Sequence, residues 1–246
     1  MEIFSFIWNN LTAIGGLTIE HLEIVGLSVA AAILTGVPLG ILISTNERLA
    51  RAVLYVASVI MTIPSVALFG IMIPVLSYIG QGIGFLPAVI ALFLYAQLPI
   101  IRNTYTAIKN IDPSLREAAN GMGMTVLERL RKVEIPIALP IIMAGVRMAV
   151  VINVGIATIA AYIGAGGLGQ LISRGIAQSD TRQIIAGAIL VSVLAIAADY
   201  SLAGIQRLLT PKGLRITPSR QILIALNLLR TIARFSWLRK TSRVKP

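Results

Sequence analysis

The sequence predicts an all-α integral membrane protein with about five transmembrane helices and a two-helix loop on the cytoplasmic side. Three observations carry that fold class. The 246 residues are 57% hydrophobic and only 13% charged, against about 25% charged in an ordinary soluble domain. Residues 24–46, 52–101 and 148–173 hold no Lys, Arg, Asp or Glu, and about 20 apolar residues in a helix suffice to cross the hydrocarbon. The apolar segments show no period-two alternation, which argues against a strand barrel.

The spans follow in order. Span one is expected at about 22–44 and span two at 53–79, with Pro64 and Pro74 kinking or splitting it, because each removes a backbone donor. The loop "GQGIGFLP" (80–87) leads to span three at 86–106. Spans four and five are expected at 139–163 and 183–206. Arg48, Arg51, the six Lys and Arg residues of 102–134 and the ten from Arg207 onward then share one side, 18 of the 21 in the chain. The positive-inside rule makes that side cytoplasmic and puts the N-terminus outside. Residues 1–21 are expected to be an extracytoplasmic segment without the basic region of a cleavable signal, and 207–246 a basic cytoplasmic tail. Within the tail, 221–238 could lie on the membrane as an amphipathic helix.

The densest mixed-charge stretch, "EAANGMGMTVLERLRKVEIPIALP" (117–140), lies between spans three and four. Asp112-Pro113 is a helix start, with a carboxylate cap followed by proline at the first helical position. That helix should stop at Gly121 or Gly123. Thr125 with Glu128 three residues on forms a capping box, and the second helix should end at Pro136 and Pro140. Two short capped helices at about 107–138, joined by a small-residue turn, suit docking of a cytoplasmic partner.

Glu117-Ala118-Ala119, then Gly123, then Val133-Glu134-Ile135-Pro136 resembles the "EAA…G…I-LP" loop of permease subunits of binding-protein-dependent (type I) ABC importers. Val133 and Ile135 depart conservatively from that pattern. "GVPLGILIS" (36–44), "TIPSVALFGI" (62–71), the stretch 86–125 and "IGAGGLGQLI" (163–172) resemble the osmoprotectant branch, which carries glycine betaine, choline or carnitine. The resemblance implies a multi-pass protein of the bacterial inner membrane. Its partners would be a cytoplasmic ATP-binding subunit, an extracytoplasmic solute-binding protein and a second permease, identical or homologous. It implies that Glu117, Ala118, Ala119, Gly123 and Pro136 form a coupling loop gripping the ATPase. A permease for another solute such as an amino acid is the nearest alternative, and a stand-alone secondary transporter a more distant one.

Catalysis by the chain itself is not expected. It has no Cys, a single histidine (His21) and no Walker lysine motif, so no metal site, cofactor or ATP hydrolysis of its own is foreseen. "GAGGLG" (164–169) matches a dinucleotide fingerprint in letters only, since it follows a membrane span and not a strand. No aromatic cage for a quaternary ammonium is evident. Gln97, Asn153, Thr158 and Tyr162 are the candidate passage-lining groups. Arg147 and Asp199 lie about 10 and 12 Å from the inner ends of spans four and five by helical rise. Such charges pair or face water, so an Arg147–Asp199 ion pair is expected.

Overall fold

In the computed structural model, residues 2–210 are described; the basic tail beyond them, including the amphipathic reading of 221–238, lies outside the described residues. Among these residues all regular structure is helical. A short helix α1 (Glu2–Asn9) precedes α2 (Leu11–Ile43), α3 (Glu47–Thr62), α4 (Ser65–Ser77) and α5 (Phe85–Lys109). Then come α6 (Pro113–Gly121), α7 (Val126–Arg129), α8 (Ile135–Ala160), α9 (Gly169–Ala177) and α10 (Thr181–Leu209). The helices α2, α5, α8 (with α7) and α10 are long and apolar enough to cross a membrane, and α3 with α4 makes a fifth span if counted as one.

Span two is broken where its first proline sits. Ile63 leaves the helical region, α4 begins after Pro64, and the two halves meet at 99°. Pro74 is accommodated inside α4. The carbonyl of Ile63, freed by the break, accepts the Tyr95 hydroxyl of α5. Span one differs from expectation at its start. Helix α2 begins at Leu11 and not near 22, so it runs 33 residues, about 50 Å, and carries Glu20 and Glu23 past the apolar run. No proline lies in 11–22, the helix runs through Gly15-Gly16, and uncharged length marks only the part inside hydrocarbon.

Helix α5 is the centre of the bundle. Ala88, Ala91, Leu92, Ala96 and Ile100 are fully buried, between α2 on one side and α8 on the other. Both neighbours approach through glycine. A Cβ on Gly40 of α2 would fall 2.6 Å from Thr104 Cβ, and one on Gly145 of α8 would fall 2.6 Å from Asn103 Cβ and 2.7 Å from Pro99 O. Without a hydrophobic drive between helices in lipid, such close approach is what supplies dispersion energy. By contrast, α10 is bound on α8 and α9 and leaves most of its surface uncovered.

The second loop helix does not end at Pro136 and Pro140. It passes into α8 through a wide π turn over Leu130–Glu134, where Ile135 N–H reaches back to Leu130 O. The widened turn makes room for Pro136, which has no N–H to give and whose ring would clash in a tight turn. The second loop helix is therefore one continuous rod with span four.

Candidate functional site

The two-helix loop is built from its caps outward. Asp112 Oδ1 accepts from Ser114 N–H at 2.9 Å, with Pro113 at the first turn of α6. This bond holds the Asp112 carboxyl below its ordinary value. At the far end Met124 N–H bonds Ala119 O and Gly123 N–H bonds Asn120 O, with Gly123 at φ +76°. That is a Schellman stop, which favours glycine at the left-handed position. Thr125 and Glu128 then exchange both bonds of a capping box.

These caps leave one face of the loop outward. Glu117 and Ala118 are exposed, as are Leu115, Met122, Val126 and Leu127. Ala119 is 1% exposed and faces into the loop. The small side chain of Ala118 is thus the one open to a partner, while that of Ala119 allows the loop to fold on itself. Pro136 is half-buried in the first turn of α8. Four large apolar side chains thus stand exposed on a charged loop outside the span.

A second cluster joins α8 to α10. Arg147 Nε and Nη2 each bond one carboxylate oxygen of Asp199 at 2.8 Å. Arg147 Nη1 also donates to Gln206 Oε1 at 3.1 Å, and Gln206 Nε2 donates to Pro140 O at 2.9 Å. The paired side chains are about one third exposed. The fork geometry fixes both rotation and height of α10 on α8.

The four polar passage candidates are not brought together. Gln97 is buried and donates to Thr35 Oγ1 of α2 at 2.9 Å. Asn153 is fully buried and donates to Leu92 O of α5 at 3.0 Å. Thr158 is half-buried with its hydroxyl on Gly155 O, and Tyr162 is exposed. Thr158 and Tyr162 flank an uncovered stripe of α8 that includes Met148, Val151 and Gly155. A cleft of about 440 Å³ opens between α2, α3 and α5, lined by Thr35, Leu39, Val53, Val56, Phe93 and Gln97. No group of His, Cys, Asp or Glu suited to a metal occurs among the described residues.

At the opposite end from the loop, the glycine turn at 164–167 folds over α2 at Glu20 and His21. Gly167 N–H donates to Glu20 Oε2 at 2.8 Å. A Cβ on Gly167, whose φ is +78°, would lie 2.9 Å from His21 Nδ1 and 3.3 Å from His21 Cα. His21 is fully buried and its Nε2 bonds Val154 O of α8 at 3.1 Å. The sequence pointed to this turn through its glycines but not to Glu20 and His21 as its supports. Glu134, Arg116 and Arg129 were likewise visible only as charges of the loop.

The sequence model of a family described as "Binding-protein-dependent transport system inner membrane component" matches residues 32–213. The chain is 54% identical over 215 residues to the osmoprotectant import permease protein OsmW of Salmonella typhimurium, covering 87% of this chain and all of that protein. It is 45% identical over 196 residues to the glycine betaine/carnitine/choline transport system permease protein OpuCB of Bacillus subtilis, covering 80% of this chain and 88% of the relative. Among solved structures, an inward-facing form of the MetNI methionine ABC transporter superposes with a TM-score of 0.71 at 26% identity, over 80% of this chain and 96% of that one. An amino acid ABC transporter shares the fold, with a TM-score of 0.64 at 21% identity, over 83% of this chain and 96% of that one.

Proposed function

The chain belongs to the family of binding-protein-dependent transport system inner membrane components, and we propose that, as a multi-pass permease subunit of an ABC importer, it carries quaternary ammonium osmoprotectants of the glycine betaine, carnitine and choline kind. In this reading a separate ATPase hydrolyses ATP on the loop side, which is cytoplasmic, and an extracytoplasmic binding protein delivers the solute. A second permease, identical or homologous, completes the pathway against the uncovered faces of the spans, with anionic lipid around the basic tail. The spans from α2 to α10 form the permease domain.

The observation that carries the proposal is the loop. Its outward face is small and apolar around Ala118 of α6, with Glu117 at its edge, and its second helix, α7, continues without interruption into α8. Closure of the ATPase pushes on α6, Gly123 keeps the turn free of a side chain, and α8 moves as the loop moves. Thr158 and Tyr162 border the passage on the uncovered stripe of α8, while Gln97 and Asn153 hold its walls through bonds to neighbouring helices. Arg147 and Asp199 keep α10 moving with α8.

The test is uptake by proteoliposomes holding the permease, the ATPase and the binding protein, with radiolabelled glycine betaine, carnitine, choline and methionine as solutes. ATP-dependent accumulation of one of the first three is expected. Uptake without the ATPase overturns the coupling reading, and uptake of methionine alone overturns the solute class.

A further inference from the structure

Glu134 is 5% exposed, an unusual place for a carboxylate in a loop otherwise open to water. Two guanidinium groups converge on its Oε1. Arg129 Nε donates to it at 2.9 Å, and Arg116 Nε lies 3.2 Å away without the angle of a hydrogen bond. Each arginine also grips another element. Arg116 Nη2 donates to Ile108 O, in the last turn of α5, at 2.6 Å, and Arg129 Nη1 donates to Asn120 Oδ1 of α6 at 2.7 Å. The carboxylate belongs to the last residue of the π turn at the root of α8, while Arg131 and Lys132 of the same turn are exposed.

The chain itself gives α6 little hold on α7. They are joined through Met122–Thr125, where Gly123 has a positive φ and open space around it. Ala119, buried on α6, offers only apolar contact, which permits sliding. A carboxylate oxygen held between two guanidinium groups, one of them hydrogen-bonded, does not. Buried ionic groups are poor sources of net stability, and their best-attested use is to fix one arrangement among several.

We propose that Glu134 is the positioning residue that locks the coupling loop to the ends of α5 and α8, so that a displacement of α6 reaches the spans without slack. This rests on the coupling reading of the loop, and it assigns the transmission to a residue that touches neither solute nor ATPase.

The experiment compares wild type with Glu134→Gln in the assembled importer, reading three quantities: ATPase co-purified per permease, ATP hydrolysed, and solute taken up per ATP. The docking face is unchanged in the variant, so ATPase recovery and hydrolysis are expected to stay near wild type. Uptake per ATP is expected to fall about tenfold, the size of a typical coupling between sites. Wild-type uptake per ATP in Glu134→Gln overturns the inference while leaving the docking reading intact. A wild-type permease that never recovers an ATPase fails the docking reading first, so the two failures are distinguishable. Arg116→Gln, which removes one arm and leaves the Arg129 bond, guards against a folding defect. A partial loss of coupling at normal yield supports the lock, and an unchanged ratio counts against it.

Discussion

The two ends of the helix bundle are fastened by different chemistry. At the loop end, the ties are between charged side chains: Arg129 and Arg116 on Glu134, and Arg147 on Asp199. At the other end, a glycine turn lies directly on helix α2, held by one carboxylate accepting a backbone N–H and by the contact of Gly167 with His21. Paired side chains carry tension and resist rotation. Backbone-on-backbone packing at glycine holds only while the surfaces stay together, and it releases without breaking an ion pair. An importer has to be pulled at one end and to part at the other, and the two constructions suit those tasks.

The largest expected effect breaks the glycine end. Gly167→Val puts a branched side chain at a positive φ and against the His21 backbone, which cannot swing aside. The cost is expected to be about 3 kcal/mol, read as a lower thermal midpoint of the purified protein with the loop still binding the ATPase. A midpoint equal to that of wild type would show that the turn is looser than its contacts imply.

A smaller effect is expected at the charged end. Arg147→Ala and Asp199→Ala should each cost about 1–2 kcal/mol, less than a fully buried pair because both side chains are about one third exposed. The double variant should cost less than the sum, and the charge swap should recover part of the loss. Strictly additive losses with no recovery would mean that each side chain acts alone.

The smallest effect concerns the cap of α6. Asp112 is fully in water, and its carboxyl is held below its ordinary value of 3.8 by the Ser114 N–H. A carboxylate lowered on folding adds stability that is present above its unfolded pKa and lost as pH falls through the folded one. Protection of α6 in amide exchange should therefore differ by roughly twofold between wild type and Asp112→Asn at about pH 7, and the difference should vanish once the pH is below the folded pKa. An equal difference under both conditions would assign the cap to geometry and not to charge.

How far these features can be read from sequence follows from which physics each obeys. The spans are set by length in hydrocarbon, so their uncharged runs mark them, and the break at Pro64 follows from a missing donor. The caps at Asp112, Thr125 and Gly123 are local, decided within four residues, and are equally visible. The start of α2 at Leu11 is not marked, because a helix can outrun the membrane once nothing breaks it. Pro136 and Pro140 look like a stop, yet the π turn makes room for Pro136 and α8 carries Pro140 within it. Glu134 is hidden for another reason. Its partners lie 5 and 18 residues away on separate helices, and only the folded loop brings two guanidinium groups onto one oxygen. Gln97 and Asn153 stand out in sequence as polar groups in spans, but their bonds to Thr35 and to Leu92 O depend on which helices are neighbours.

If the loop joins an ATPase to the spans, Gly123→Trp is the substitution that severs the joint. Gly123 has φ +76°, and a Cβ added there would meet nothing within 4 Å, so a tryptophan strains the turn and projects into the docking space without entering the bundle. The measurement is ATP-dependent solute uptake by the reconstituted variant, alongside its yield in the membrane. Normal insertion is expected, with uptake reduced to background while the ATPase subunit still hydrolyses ATP. Normal uptake by this variant would show that the loop does not link the ATPase to the spans.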